Sequence, residues 1–329
     1  MNFRRKIFWP LLLPSVQALP GNAAPWPETF AADPFANGWK VFGDTNLFQW
    51  DSTNQNLAVT WDSAQPNSFF YQPLGTILTK ADDFGFSFEL QLADITNGMN
   101  AGKPYTFELA VGFLNQAVAT GGNYQRGVVN PASGARNLCE FDYFPDSGYG
   151  ATISPTMIST NSAFNQFATK FAFPLELDTN ALFAVTMNYT ASDKTLRTAM
   201  TRNGDVFGPI PDVVLGAGFK DFRLDQFAVC SYSDSGADGS LLAHGVVDNL
   251  VVTVPPPPVQ NLSGTFSNNE WQANFLSRSN WLYTLERTTD FQSWTNVSAA
   301  VAGNASNLFL QDTNPTTSRA FYRVRGERP

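Results

Sequence analysis

The sequence predicts an all-β protein, in which a two-sheet sandwich of jelly-roll type is followed by a smaller β-domain. Composition is the first reason: the 329 residues include 24 Gly and 21 Pro, 14% are aromatic and only 15% are charged, which suits many turns around a large core. Periodicity is the second, because about a dozen short segments alternate apolar and polar residues, as half-buried strands do. The third is that no segment shows an amphipathic helix of three turns.

Residues 1–24 are typical of a secretory signal peptide. A basic start, Arg4–Lys6, precedes the short apolar run Ile7–Leu13, and small residues that suit cleavage follow at Ala18 and Ala23–Ala24. The apolar run is too short to span a bilayer, and no second long apolar run follows it. We therefore expect a secreted or cell-surface protein without membrane insertion. The sequence leaves its oligomeric state open.

Residues 25–254 carry the strand pattern of the predicted sandwich. Asn56–Asp62 alternates apolar and polar residues, and Phe84–Leu92 is the clearest period-two segment. The apolar side chains of the second segment should face a core, and they are Phe84, Phe86, Phe88, Leu90 and Leu92.

Four consecutive prolines, residues 255–258, mark the domain boundary. In polyproline II conformation they would form a stiff spacer of about 12 Å. Candidate strands then begin at Glu270, Trp281 and Ala320. This pattern predicts an immunoglobulin-like or fibronectin type III-like module over residues 259–329.

The charge distribution limits the partners of the sandwich. Residues 25–258 hold 11 Lys and Arg against 23 Asp and Glu. Such an acidic domain repels nucleic acid and anionic membranes, and it is compatible with neutral sugars and with calcium.

Two cysteines, Cys139 and Cys230, fall in predicted strands with apolar neighbours. An exported protein permits one disulfide between them, and two buried free thiols fit the pattern equally well.

The stretch Asn137–Asp146 carries the most chemistry. In an extended strand Glu140 and Asp142 share one face about 7 Å apart, while Cys139, Phe141 and Tyr143 share the other. Paired carboxylates suit either a glycosidase or, with oxygen atoms from the following turn, a calcium site. The alternative is that both acids are exposed or bonded to Arg126, Arg136 or Tyr149.

Other catalytic devices find little support in the sequence. His244 is the single histidine, no Gly-x-Ser-x-Gly elbow is present, and no phosphate loop or dinucleotide motif appears. No catalytic residue is therefore assigned, and whether the chain is an enzyme stays open, with a non-enzyme favoured.

The segment Glu140-Phe-Asp-Tyr-Phe144 resembles the Val-Glu-Phe-Asp-Thr-Phe strand of L-type lectins, which have the concanavalin A-like (laminin G-like) jelly-roll fold. The resemblance implies a calcium ion held by Glu140, Asp142, the carbonyl of Phe144, and Asp146. Ala151 and Thr156 stand where the lectins have a further Asp and a His, so the resemblance does not extend to a manganese site. Lys103-Pro104 replaces the lectin's sugar-binding Asp.

The same segment also resembles the Glu-x-Asp strand of laminarinase-type β-glucanases. Phe144 or Pro145 stands at the position of their second glutamate. The whole chain further resembles exported bacterial proteins in which such a domain precedes a small β-module, on the evidence of Ala243–Asn249 and Tyr283–Arg287.

These observations favour a secreted, non-catalytic carbohydrate-binding or adhesion protein with a glycan or polysaccharide partner. The predicted ligand contacts lie in the long polar loop 115–136 and beside the central stretch: Tyr124, Arg126, Asn137 and Tyr149. Two alternatives stay open, a glycan hydrolase or lyase of this fold and a structural cell-surface or matrix protein.

Overall fold

The strands before residue 255 form two antiparallel sheets that face each other across one core. The computed structural model describes residues 25–97, 108–126, 134–160, 167–233, 240–316 and 319–329, so the predicted signal peptide lies outside it. The strands of this larger domain are β1 Pro25–Glu28, β2 Lys40–Phe42, β3 Phe48–Asp51, β4 Asn56–Asp62, β5 Ser68–Leu78, β6 Phe84–Asn97, β7 Leu109–Leu114, β8 Leu138–Phe144, β9 Thr152–Ile153, β10 Thr156–Ile158, β11 Phe167–Thr169, β12 Leu182–Thr190, β13 Thr195–Arg202, β14 Asp205–Val206, β15 Val213–Val214, β16 Leu224–Ser231 and β17 Leu241–Thr253.

Sheet 1 runs in the order β14-β13-β12-β6-β17-β4-β3, with β1 paired to β17 and β15 to β13. Sheet 2 runs β11-β10-β8-β7-β16-β5-β2, with β9 paired to β8. Helical structure in the described ranges is limited to a 3₁₀ turn, Thr45–Leu47, and the four-residue helix α1, Gln116–Ala119. No described helix has the length and apolarity needed to cross a membrane. The predicted all-β sandwich is confirmed.

The core between the sheets is aromatic. Phe86 of sheet 1 meets Phe113 and Phe227 of sheet 2, with ring centroids 5.5 and 5.2 Å apart. The predicted period-two face is confirmed, because every second residue of β6 is buried in this core: Phe84, Phe86, Phe88, Leu90 and Leu92. The residues that alternate with these five point away from the core. The segment is therefore stable as a strand that has one face against the core.

Strand β8 lies in the middle of sheet 2, between β7 and β10. Its inner residues Cys139, Phe141 and Tyr143 belong to the sandwich core, as predicted. Glu140 and Asp142 therefore point to the outer face of sheet 2.

The outer face of sheet 2 is covered there by the segment that follows β7. A second apolar cluster forms between this segment and the sheet; its members include Tyr71, Ala119, Tyr124, Ala135, Leu138, Ile158 and Tyr232. The loop predicted as an exposed binding loop thus packs on the sheet over its described parts.

Cys139 and Cys230 are both free and buried. They lie in different clusters, Cys139 in the core between the sheets and Cys230 under the covering segment. Of the two alternatives, the structure has the two buried thiols. Burial raises the pKa of both thiols well above the ordinary value.

The C-terminal domain is a pair of small sheets with its own core. Its strands are β18 Val259–Ser267, β19 Glu270–Ser277, β20 Leu282–Thr288, β21 Thr295–Asn296, β22 Val301–Ala302, β23 Asn307–Asp312 and β24 Phe321–Glu327. Sheet 3 runs β18-β19-β23, and sheet 4 runs β21-β20-β22 with β24 also paired to β20. Phe275 from sheet 3 and Tyr283 from sheet 4 pack at a centroid distance of 5.0 Å. An immunoglobulin or fibronectin topology stays a prediction.

The two domains contact each other directly beside the proline segment. Asp82 of the sandwich accepts an Nη2 hydrogen bond of Arg278 at 2.8 Å and lies 2.8 Å from Nη1 of Arg328. Both guanidinium groups also lie over the ring of Trp281, at 5.7 and 5.6 Å. Ile77 of β5 packs against the core of the smaller domain.

Candidate functional site

Three carboxylates surround one guanidinium on the outer face of sheet 2. Nε of Arg126 donates to Oε1 of Glu140 at 2.5 Å, and Nη2 donates to Oδ2 of Asp142 at 2.8 Å. Oε1 of Glu108 lies 3.1 Å from the same Nε. Tyr232 donates its hydroxyl hydrogen to Oε2 of Glu140 at 2.7 Å. We call these three acids the acidic triad.

Neighbouring strands position the acidic triad. Glu140 and Asp142 alternate with core residues on β8, and Glu108 directly precedes β7, the strand beside it. Gly112 lies opposite Glu140 across the β7–β8 pair, and a Cβ there would come within 2.4 Å of the carbonyl oxygen of Cys139. Only glycine lets β7 approach β8 this closely.

The acidic triad is buried, and its hydrogen bonding is incomplete. Glu140 and Asp142 are 0% exposed, Glu108 2% and Arg126 5%. Among described residues none donates a hydrogen bond to either oxygen of Glu108. Glu108 is close enough to Arg126 for ion pairing, but the Nε hydrogen is directed to Glu140.

Burial raises the pKa of two acids of the triad, Glu108 and Asp142. Burial, opposed by Arg126 and aided by Glu140, raises the pKa of Glu108 to about 8. Burial and the charge of Glu140 likewise raise the pKa of Asp142 well above its ordinary value. Burial acts to lower the pKa of the Arg126 guanidinium. The charges of the three acids outweigh this effect and raise that pKa well above its ordinary value.

The raised pKa of Glu108 predicts that stability falls with rising pH. The folded chain keeps this proton up to about pH 8, whereas an unfolded glutamate releases it near its ordinary pKa of 4.5. The unfolding free energy should therefore decrease between about pH 5 and about pH 8, with Asp142 acting in the same direction. Urea unfolding of wild type and Glu108→Gln across this range checks it, because glutamine mimics the protonated acid and should flatten the curve. Parallel curves for the two proteins would contradict the assignment to Glu108.

The acidic triad has the spacing of an ion site. One oxygen from each acid lies within 4.8 Å of the others, so the three could hold an ion. In the structure the guanidinium of Arg126 supplies the positive charge among them. The alternative that Glu140 and Asp142 bond to Arg126 is therefore the one observed. Because both acids are fully buried, this pair does not flank an open space for a sugar, as the hydrolase alternative requires.

The other residues expected to hold calcium lie outside the acidic triad. Phe144 ends β8 opposite Thr152, and Oδ1 of Asp146 accepts a hydrogen bond from the backbone N–H of Gly148 in the following turn. Their role as ion ligands stays a prediction.

Three of the four predicted ligand contacts are buried. Tyr124 packs on Tyr232 with a centroid distance of 6.2 Å, and Oδ1 of Asn137 accepts from the backbone N–H of Arg223. Arg126 lies within the acidic triad. Their contact with a ligand stays a prediction, and what the structure shows is their part in fixing the covering segment.

Tyr149, the fourth predicted contact, is 76% exposed, and it forms an aromatic pair with Phe173, which is 50% exposed. Their ring centroids are 5.5 Å apart, with 31° between the planes. Backbone hydrogen bonds between Ala172 and Ile153, and from Leu175 to Ala151, hold the two segments side by side. The two neighbouring rings therefore form an exposed apolar surface beside the turn that follows β8.

Sequence reasoning missed Glu108, Tyr232 and Phe173. In the sequence Glu108 stands between Phe107 and Leu109, at an alternate position of an apolar segment that continues to Phe113, and this position was a signal that could have been used. Nothing in the sequence indicates that Phe173 lies beside Tyr149, since 24 residues separate them and the contact depends on pairing between Ile153 and Ala172.

Comparisons with known proteins give likenesses in structure alone. No protein-family model matches the chain, and no curated protein matches it. The chain is similar to a peanut lectin solved with a nine-residue peptide, with 16% identity, a TM-score of 0.44, and coverage of 71% of this chain and 98% of that chain. For lectin II from Ulex europaeus the identity is 10% and the TM-score 0.45, with coverage of 71% and 99%. For the legume lectin-like domain from Entamoeba histolytica the values are 11%, 0.42, 69% and 95%. These likenesses, with identities of 16% or less and TM-scores below 0.5, stand as similarities of structure, and the two-sheet sandwich is established by the strand pairing of this chain.

Proposed function

We propose that this chain is a non-catalytic carbohydrate-binding protein whose ligand stacks on Tyr149 and Phe173. The observation that carries the proposal is the exposed aromatic pair itself. Large apolar rings exposed next to each other cost free energy in water unless a ligand covers them. A pyranose ring offers a suitable cover, because its axial C–H groups carry partial positive charge and the faces of aromatic rings are negative.

The surroundings of the pair suit a sugar better than an apolar peptide. Ser147 and Asp146 lie in the same turn, and Lys170 is exposed two residues before Ala172. Hydroxyl, carboxylate and ammonium groups beside the rings can exchange hydrogen bonds with sugar hydroxyls. The turn between Phe144 and Thr152 carries Asp146 and Ser147 and is closed by a hydrogen bond from the backbone N–H of Ser147 to the carbonyl of Gly150. A preformed turn lowers the entropic cost of binding.

Calcium is not part of this proposal. The resemblance to L-type lectins implies an ion at Glu140, Asp142, Phe144 and Asp146, but the guanidinium of Arg126 already lies between the first two. A second cation there would meet the repulsion of a buried positive charge. We expect glycan binding to persist in the presence of a chelator.

Export is the remaining part of the proposal. The predicted signal peptide supports a secreted or cell-surface location, where a glycan partner would be met. Detection of the chain in the culture medium or on the surface of the producing cell, by an antibody raised against it, would test the location.

A glycan array probed with the whole chain, with calcium and again with chelator, tests the function. The affinity of wild type should fall about fivefold or more in Tyr149→Ala and in Phe173→Ala, because each variant loses a stacking face worth roughly 1 kcal/mol or more. Phe266→Ala is the matched control, since it removes a ring that is 64% exposed in the C-terminal domain.

Two results would count against the proposal. If wild type binds no glycan in either condition, the carbohydrate function is wrong. If it binds and neither aromatic substitution weakens binding, the function stands but its position on this pair is wrong.

A further inference from the structure

We propose that Arg126 is a built-in cation that replaces a divalent metal ion at the acidic triad. The chain thus keeps an acidic ion site but fills it with its own side chain. The inference is independent of the proposed glycan site, because it concerns the buried outer face of sheet 2.

Geometry is the first support. Arg126 contacts all three acids, Glu108 and Glu140 through Nε at 3.1 and 2.5 Å and Asp142 through Nη2 at 2.8 Å. A guanidinium with two donor directions can bridge separate carboxylates, which makes it a good planar substitute for a metal ion. Tyr232 donates a hydrogen bond to the second carboxylate oxygen of Glu140.

The remaining oxygens are the second support. Neither oxygen of Glu108 receives a hydrogen bond from a described residue, although both are buried. Arg126 therefore uses only part of the acceptor capacity that the three acids provide. Donor sets of this kind, rich in carboxylate oxygen and poor in hydrogen-bond donors, are those that hard divalent cations use.

The size of the site is the third support. Oxygens on opposite sides of a calcium ion are about 5 Å apart, because each Ca–O distance is about 2.3–2.6 Å. One oxygen from each acid here lies within 4.8 Å of the others. Removing the guanidinium would leave three carboxylates at calcium spacing with no charge between them.

The position of Arg126 in the chain shows what the substitution achieves. Arg126 belongs to the segment that covers sheet 2, whereas Glu140 and Asp142 belong to the sheet. A hydrogen bond also holds the covering segment two residues before Arg126, where Nδ2 of Asn67 donates to the carbonyl of Tyr124 at 2.9 Å. The internal cation thus ties the covering segment to the sheet without depending on calcium in the medium.

Thermal unfolding of the full chain, in calcium and in chelator, tests the proposal. Wild type should show the same Tm in both conditions, and metal analysis of the protein after dialysis against calcium should find no bound ion. Arg126→Ala should unfold at lower temperature in chelator, and calcium should raise its Tm by about 5 °C or more. Arg126→Lys keeps the internal charge and should be insensitive to calcium. Arg202→Ala, at an arginine 47% exposed and paired with Asp178, is the control for loss of a surface charge.

The outcomes divide clearly. A calcium-dependent rise in the Tm of wild type, or one bound calcium per wild-type chain, overturns the proposal. A folded Arg126→Ala variant whose Tm is the same in calcium and in chelator also overturns the proposal, because the acidic triad is then not an ion site. If Arg126→Ala does not fold in chelator, its expression and refolding in calcium decide: recovery supports the proposal, and failure in both conditions contradicts it.

Discussion

Phe227→Ala is expected to lower the unfolding free energy of the sandwich by about 3–5 kcal/mol. The ring is fully buried at the centre of the core, and its centroid lies 5.4 Å from Phe113, 5.2 Å from Phe86 and 6.4 Å from Trp39. Phe86 belongs to sheet 1, Phe113 belongs to sheet 2, and Trp39 directly precedes β2. The space left by the deletion therefore cannot close without moving one sheet against the other. The lost contacts therefore add to the lost transfer free energy.

Urea unfolding monitored by tryptophan fluorescence measures this change. Phe227→Leu is the partial deletion and should cost much less, because leucine refills most of the volume. Phe309→Ala, at a ring that is 50% exposed in the C-terminal domain, should change stability by a few tenths of a kcal/mol. A loss below about 1 kcal/mol for Phe227→Ala would mean that the aromatic core is not packed as described.

Asp82→Ala is expected to weaken the contact between the two domains by about 3–5 kcal/mol of free energy. This is the second of the two large effects that the structure predicts. The substitution leaves Arg278 and Arg328, whose side chains are 13% and 5% exposed, without the acid between them. Burial already lowers the pKa of Arg278 and Asp82 opposes that shift, so its loss leaves a poorly solvated positive charge. Two arginines with no counter-ion also repel each other.

Calorimetry of the full chain detects this change. Wild type should unfold with the two domains coupled, whereas Asp82→Ala should show the smaller domain melting separately and earlier. Asp82→Asn keeps an acceptor for the hydrogen bonds from Thr79 and isolates the effect of charge. Asp178→Ala, at a surface acid paired with Arg202, is the control. A single unchanged transition in Asp82→Ala would show that this contact does not couple the domains.

Alternation alone was enough to predict most of the fold. In β8, and in β6 from Phe84 to Leu92, every second residue is apolar and enters the core, because a slip of one residue would turn all of these side chains to the other face of the sheet. The paired acids of β8 were found the same way. Their spacing follows from the strand, and the strand follows from Cys139, Phe141 and Tyr143.

Burial of those acids was beyond the reach of the sequence. A polar, glycine-rich segment such as 115–136 is ordinarily exposed, and only its folded path brings Tyr124 and Ala135 onto sheet 2. The resemblance to the L-type lectin motif predicted a strand at Glu140–Phe144, and β8 lies there. The guanidinium of Arg126 lies where the resemblance places an ion, and bonding of the two acids to Arg126 was one of the alternatives that the sequence left open.

The direct contact between the domains makes residue 254 a poor place to cut the chain. A fragment ending there would present Ile77 to water and would leave Asp82 facing solvent in place of two arginines, so its behaviour would report a damaged surface as well as a missing domain. For a fusion protein or a sensor, the consequence is useful. A label on the C-terminal domain would stay at a constant distance from the Tyr149 turn, because the contact between the domains fixes their relative position.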